Sequence, residues 1–302
     1  MVLLRCFQWL LTLAALSTAY AAAQPFGPTT PEATPARRQE WLVPSTNDAI
    51  PAHALLYRPA GNGPFPLALI AHASTQNPLR RAQMPQPAYP ALARQLVARG
   101  YAVLVPERLG HGRTGAPYVE DQGGCTDADY EKAGRATAAQ ILRALTFMRE
   151  QPFIAQGGAV VIGHSAGGLG ALALADQPPE LISAIIVFAP GRGGHADDVP
   201  GRVCAEERLR DAISIFGRAA RVPVTWLVAA NDSYFPPAFS RWLADAFRSA
   251  GGKATFTLLP STGVEGHWLI EREDGVALAS DALAGALATP RARRAARPVP
   301  PN

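Results

Sequence analysis

A single serine lies among glycines in the segment GHSAGG, residues 163–168. The apolar run GAVVI precedes it and the run LGALALA follows, patterns typical of a buried strand and of a helix. In a G-x-S-x-G turn from strand to helix, the flanking glycines remove side chains that would clash and leave the serine hydroxyl exposed above the sheet. Gly163, Ser165 and Gly167 fit this pattern, which makes Ser165 the candidate nucleophile. A phosphate-binding loop would instead need a lysine followed by serine or threonine after its second glycine.

A serine hydroxyl becomes an effective nucleophile only when a base takes its proton and a third group orients that base. Asp232 follows the apolar run TWLVAAN, and His267 follows FTLL through the loop PSTGVEGHW. We therefore predict His267 as the base and Asp232 as the orienting acid. The alternatives are that Asp232 caps a turn or helix and that His267 is a surface histidine.

Attack on an ester carbonyl builds negative charge, which backbone N–H groups can stabilise. One donor is expected to be the residue after the nucleophile, Ala166. The second is expected in the segment HAS after the apolar run PLALIA, where the N–H of Ser74 is favoured and that of Ala73 comes next.

The remaining histidines fit other roles better. His164 is expected to point into the packed side of the turn, and His72 ends a strand pattern. His111 and His195 lie in irregular segments, at 108–126 and 191–204, where they could line a substrate site or support the structure. Cys125 lacks the glycine context of Ser165 and is a poor candidate nucleophile.

The elements around these residues alternate along the chain. EWLV and HALLYRP predict an antiparallel pair, after which strand patterns such as YAVLVPE and ISAIIVFAP alternate with helix patterns. This alternation indicates a mostly parallel sheet flanked by helices, in which catalytic groups follow the carboxyl ends of strands.

From Trp41 to Leu287 the chain resembles the α/β-hydrolases, including dienelactone hydrolase-like proteins and bacterial serine esterases with a small lid or none. The serine turn, the acid loop AAND and the histidine loop GHW carry the resemblance. Two features depart from it: His72-Ala73 replaces the usual histidine-glycine pair, and Ser165 stands where dienelactone hydrolases have cysteine. The resemblance implies a small-molecule ester substrate and no metal or organic cofactor. A peptidase or amidase, and a binding protein without activity, stay open as alternatives.

The termini differ in composition from the central region. Residues 1–23 combine Arg5, an apolar stretch and small residues before Gln24, which predicts a secretory signal peptide; a membrane anchor is the alternative. Residues 24–40 are expected to be a disordered leader, 41–288 the folded domain and 289–302 a disordered, proline-rich basic tail. We therefore expect a secreted or periplasmic protein without a stable membrane span, and the sequence leaves its oligomeric state open.

The basic residues do not indicate nucleic-acid binding. The chain has 28 lysines and arginines against 24 aspartates and glutamates, and four of the arginines lie in the tail. Without that tail and the signal peptide the protein is close to neutral, so no nucleic-acid partner is expected.

Two cysteines remain when Cys6 leaves with the signal peptide. Cys125 and Cys204 follow strand patterns that are predicted to end at the same edge of the sheet. In an oxidising compartment a pair of this kind favours a disulfide over a metal site, and two separate thiols are the alternative.

Overall fold

One open sheet runs through residues 26–288, the part of the chain that the computed structural model describes. Its strands are β1 (Gly27–Pro28), β2 (Gln39–Val43), β3 (Ala52–Tyr57), β4 (Leu67–Ala71), β5 (Ala102–Pro106), β6 (Ala159–His164), β7 (Ile182–Phe188), β8 (Val224–Ala229) and β9 (Ala254–Leu259). In space they follow the order β1-β2-β3-β5-β4-β6-β7-β8-β9. The first three strands pair antiparallel, β3 pairs antiparallel with β5, and all later pairings are parallel.

Helices connect the parallel strands. They are α1 (Pro78–Ala82), α2 (Pro90–Ala98), α3 (Tyr130–Arg149), α4 (Ala166–Ala173), α5 (Glu206–Ala219), α6 (Pro237–Ser249), α7 (Glu273–Leu278) and α8 (Ser280–Leu287). Two short 3-10 turns, Ala196–Asp198 and Gly266–Glu271, lie in the loops after β7 and β9.

The core forms on both faces of the sheet because neighbouring residues of a strand point to opposite sides. In β4, Leu69 packs with α3 to α6, whereas Ile70 packs with α2, α7 and α8. All residues of β4, β5, β6 and β7 are buried, which explains their continuous apolar sequences. Burying each large apolar side chain contributes about 1.5–3 kcal/mol before entropy is counted.

The expectation of a disordered leader is wrong for residues 26–40. Gly27 and Pro28 pair with Leu42 and Trp41, and the Thr29 N–H donates to the Glu40 carbonyl at 2.8 Å. The segment reaches the free edge of β2, where backbone hydrogen bonds give it a position that its composition does not suggest. The signal peptide and the tail that the sequence predicts lie outside the described residues.

The central expectations about order are confirmed. β2 and β3 form the predicted antiparallel pair, and the strands from β4 to β9 pair in parallel, as the alternation of strand and helix patterns predicts. A disulfide joins Cys125, in the loop after β5, to Cys204, in the loop after β7, with the two Cα atoms 4.7 Å apart. In contrast, the sequence patterns do not predict helix α1, and the segment GVALASDALAGAL, whose pattern predicts one last helix, is divided between α7 and α8.

Among residues 26–288, no helix combines the length and apolar character needed to cross a bilayer.

Candidate active site

Ser165 occupies the turn between β6 and α4 with φ 53° and ψ −116°. A positive φ is uncommon for a residue with a side chain, and such a strained conformation costs about 1–3 kcal/mol. The surrounding backbone holds it in place: its N–H donates to the Phe188 carbonyl at 3.0 Å, and its own carbonyl accepts the N–H of Gly191 at 3.1 Å.

The glycines of the turn are required by close approaches of backbone. A Cβ at Gly163 would lie 2.5 Å from the Gly167 carbonyl oxygen, and one at Gly167 would lie 2.2 Å from the carbonyl oxygen of Ala71, which ends β4. Side chains there would push α4 away from the sheet. The spacing of glycines around Ser165 is therefore explained by packing of the turn.

His267 and Asp232 form a buried pair in the loops after β9 and β8. His267 Nδ1 lies 3.1 Å from Asp232 Oδ2, and the two residues are 2% and 3% exposed. The other carboxylate oxygen, Oδ1, accepts the N–H groups of Tyr234 and Phe235, each at 2.9 Å. The aspartate that the sequence could also assign to a turn thus performs both tasks: it fixes its own loop and it contacts the histidine.

The electrostatic surroundings favour a neutral His267. Burial lowers the pKa of its imidazole, while the Asp232 carboxylate opposes that effect. With the proton on Nδ1, facing Asp232, the ring keeps Nε2 as an acceptor. The Tyr234 ring stacks on the imidazole with centroids 4.4 Å apart, which restricts its orientation. A neutral, oriented imidazole is the form that can take a proton from a hydroxyl.

Ser165 and His267 line one open cavity of about 800 Å³ at the carboxyl edge of the sheet. Its walls come mainly from three segments, 72–77, 84–90 and 191–198. Ser165 itself is only 7% exposed, so its accessible surface lies inside this cavity. The structure thus brings the predicted nucleophile and base to one cavity, with the predicted acid buried against the base.

The predicted backbone donors also lie there. Ala166 is the first residue of α4, and its N–H has no intrahelical acceptor at that position. Ser74 and Ala73 line the same cavity. Of these two, Ala73 donates its N–H to the Tyr89 hydroxyl at 3.3 Å, which leaves the Ser74 N–H as the more available donor.

His164 is fully buried, as its position in the turn suggests. Its Nε2 lies 2.8 Å from the carbonyl oxygen of His267, and its Nδ1 lies 3.2 Å from the Tyr89 hydroxyl. Because a backbone carbonyl can only accept, His164 donates from Nε2 and ties the loop of His267 to the serine turn.

Glu265 is a supporting residue that the sequence interpretation missed. Its Oε1 accepts the N–H of His267 at 2.9 Å and that of Ser233 at 3.0 Å. The carboxylate therefore joins the histidine loop to the acid loop. The sequence signal was modest: an acidic residue two positions before a histidine can accept that residue's N–H and begin a helical turn.

A buried ion cluster lies beside the cavity, which its member Arg192 lines. Glu120 accepts hydrogen bonds from Arg108 Nε at 2.5 Å and from Gln140 Nε2 at 2.7 Å, and it also pairs with Arg192. Burial alone raises the pKa of the Glu120 carboxyl, but Arg108 and Arg192 together lower it to about 2. The carboxylate thus stays charged and holds the loops 108–126 and 191–204 against each other.

Comparisons with known proteins agree with this architecture. A family model described as the alpha/beta hydrolase family matches residues 69–300. The matched region is most of the chain, and the protein therefore belongs to the alpha/beta hydrolase family. No curated protein sequence matches it.

Several solved structures share the fold at low sequence identity. A Klebsiella pneumoniae protein assigned as a dienelactone hydrolase is 17% identical with a TM-score of 0.55, over 83% of this chain and 98% of that one. The esterase domain of a Rhodothermus marinus protein is 19% identical with a TM-score of 0.53, over 83% and 97%. The Pyrococcus horikoshii acylaminoacyl peptidase is 14% identical with a TM-score of 0.56, over 86% of this chain but only 41% of its own.

Proposed function

We propose that this protein is an exported serine hydrolase that cleaves carboxylic esters through an acyl-enzyme intermediate on Ser165. One observation carries the proposal. Ser165, held in a strained turn, opens into the same cavity as His267, whose Nδ1 faces the buried carboxylate of Asp232. A nucleophile, a base and an orienting acid in this order along the chain are the components of acyl transfer in this fold.

The proposed reaction begins when the Ser165 hydroxyl attacks the ester carbonyl carbon while His267 Nε2 takes its proton. The Asp232 carboxylate stabilises the imidazolium that forms and keeps it in the productive orientation. His267 then gives this proton to the leaving alcohol as the C–O bond breaks, which leaves the acyl group on Ser165. A water molecule, deprotonated by His267, hydrolyses that acyl-enzyme and restores the serine.

The backbone N–H groups of Ala166 and Ser74 are proposed to bind the carbonyl oxygen as it becomes negative. Both N–H groups are fixed before the reaction. Donors that need not reorganise stabilise the transition state most. These steps use only groups of this chain together with water.

Export is proposed from the disulfide and the N-terminal sequence. A disulfide between Cys125 and Cys204 fits an oxidising compartment better than the cytosol. N-terminal sequencing of the mature protein should find Gln24 as the first residue, and a chain that still begins at Met1 would contradict export with cleavage.

The catalytic proposal is tested with nitrophenyl esters of increasing acyl length, run beside a peptide anilide and a lactone. We expect ester hydrolysis to fall by several orders of magnitude in Ser165→Ala, with a residual rate from binding and the anion hole. Ser214→Ala, on the distant helix α5, is the matched control and should retain activity.

A serine-directed alkyl phosphonate should label Ser165 of the wild type, as peptide mass analysis can show. Near wild-type turnover in Ser165→Ala would refute the assignment of the nucleophile. Cleavage of the anilide in preference to every ester would indicate the peptidase alternative, and neither labelling nor hydrolysis would indicate a binding protein.

A further inference from the structure

Two buried histidines lie edge to face with ring centroids 4.8 Å apart: His72, which lines the cavity, and His111, which does not. His72 Nε2 accepts the Arg108 N–H at 3.1 Å, so its proton is on Nδ1, 2.6 Å from the Ala73 carbonyl oxygen. His111 Nδ1 lies 3.1 Å from the carbonyl oxygens of both Arg108 and Leu109. Since carbonyl oxygens only accept, His111 also carries its proton on Nδ1.

This assignment leaves His111 Nε2 as an acceptor, and the Ser74 hydroxyl lies 2.7 Å from it. The hydroxyl of Ser74 therefore donates to His111. The His111 ring is buried and hydrogen-bonded to two carbonyls, so it restricts the direction of the Ser74 hydroxyl. A serine bonded to a histidine could also suggest a second nucleophile. Burial lowers the pKa of His111 to about 4, with Glu120 opposing and Arg108 reinforcing the effect. So weak a base, with carbonyls instead of a carboxylate behind it, is a poor activator of serine.

The other polar groups of this loop are also held. Arg108 Nη1 donates to the His72 carbonyl at 2.9 Å, and the Ala73 N–H donates to the Tyr89 hydroxyl at 3.3 Å. In the described chain the Ser74 N–H donates no hydrogen bond to another protein group. Hydrogen bonds thus hold the backbone just before the Ser74 N–H and the hydroxyl of the same residue.

The pinned loop lies directly against the serine turn. A Cβ on Gly167 would lie 2.6 Å from the His72 carbonyl oxygen. A backbone this close to α4 cannot shift without displacing the turn, and a small misplacement of a donor can be costly to catalysis. The position of Ser74 relative to Ser165 therefore depends on what holds the loop.

We propose that His111 is a positioning residue that acts through the Ser74 hydroxyl to fix the Ser74 N–H as the second donor of the anion hole. The inference rests on the proposed function and explains what holds the Ser74 N–H in position as the second donor. It also explains why a loop with Ala73 where related proteins have glycine can still present its backbone correctly: hydrogen bonds supply the constraint.

The experiment compares His111→Leu, which removes the acceptor, with His111→Gln, whose amide can donate to the carbonyls and accept from Ser74. We expect kcat for the best nitrophenyl ester to fall about tenfold to a hundredfold in His111→Leu, with KM nearly unchanged, because removing a whole anion-hole donor costs about 100- to 1,000-fold. His111→Gln should recover most of this loss. His53→Leu, in β3 and away from the cavity, is the matched control.

Ser74→Ala tests the same contact without disturbing the buried ring, and Ser74→Thr restores the hydroxyl. We expect Ser74→Ala to lower kcat as His111→Leu does, and the double variant to be no worse than either single one. Full kcat in Ser74→Ala would overturn the inference even if His111→Leu fails to fold, and additive losses in a folded double variant would also overturn it. These results are separable from the main proposal, since Ser165→Ala tests that proposal directly.

Discussion

The Nδ1 atom of His267 lies 3.1 Å from Oδ2 of Asp232, while Oδ1 of the same carboxylate is held by two backbone N–H groups. The orientation of Asp232 is thus set by its own loop, and the orientation of His267 follows from Asp232. We therefore expect Asp232 to contribute to catalysis by orienting His267 and by its negative charge, and not by packing.

Asp232→Asn should keep the fold but lower kcat/KM by about ten-thousandfold, the size of the same change in another triad. The amide can still accept from the backbone through its oxygen. Its NH2 group would then face His267 Nδ1 and favour the tautomer with the proton on Nε2, where the base must be free. Steady-state kinetics with the best nitrophenyl ester measure the effect.

Asp211→Asn is the matched control for this change. Asp211 lies on helix α5 and does not line the cavity, so its loss should alter the rate little. A severe effect in Asp197→Asn or Asp198→Asn together with a silent Asp232→Asn would place the acid after β7 instead.

The acid limb of the pH profile should report His267. The base works only when neutral, and burial lowers the pKa of its imidazole despite the opposing Asp232 carboxylate. As pH falls, activity should therefore persist below the ordinary histidine pKa of about 6.5 before it declines. The measurement is kcat/KM against pH for the wild type.

The same profile offers an internal test. Removing the negative charge in Asp232→Asn should move the residual acid limb to still lower pH, whereas His195→Gln should leave the limb in place. A wild-type limb centred above pH 6.5 would contradict the burial of a neutral His267.

The turn around Ser165 could be predicted from the sequence because it is a local structure: glycine spacing, strand and helix are contiguous in the chain. Asp232 and His267 could be proposed because parallel strands carry their loops to one edge. Glu265 and the His111–Ser74 contact could not, since they depend on which loops meet in space. The proline-rich composition of residues 26–40 suggested disorder. The segment is nevertheless ordered, because part of its backbone pairs with the free edge of β2.

Gly167→Ala should abolish activity and destabilise the protein, because its methyl group would lie 2.2 Å from the Ala71 carbonyl oxygen. Either α4 must move, which displaces Ser165, or the strand must. Gly285→Ala in α8 is the matched control: a Cβ there meets nothing within 4 Å, and alanine favours helix by up to about 1 kcal/mol. Urea denaturation measures the stability of both variants, and ester kinetics measure their activity. An active, stable Gly167→Ala would show that the turn is not as tightly packed as described.

The disulfide between Cys125 and Cys204 should stabilise the protein more than it assists the chemistry. The two cysteines are 79 residues apart, and a loop of that length corresponds to about 4.5 kcal/mol in the chain-entropy model. Cys204 also lines the cavity, but the Tyr130 hydroxyl donates to its carbonyl oxygen at 2.5 Å, a contact that does not involve the sulfur. The variant with Cys125→Ser and Cys204→Ser should therefore unfold at lower urea concentration while keeping kcat within a few fold. Wild-type protein treated with a reductant is the matched control and should shift equally. Two free thiols in the denatured, unreduced mature protein, or an unchanged urea midpoint in the double variant, would refute this role for the bond.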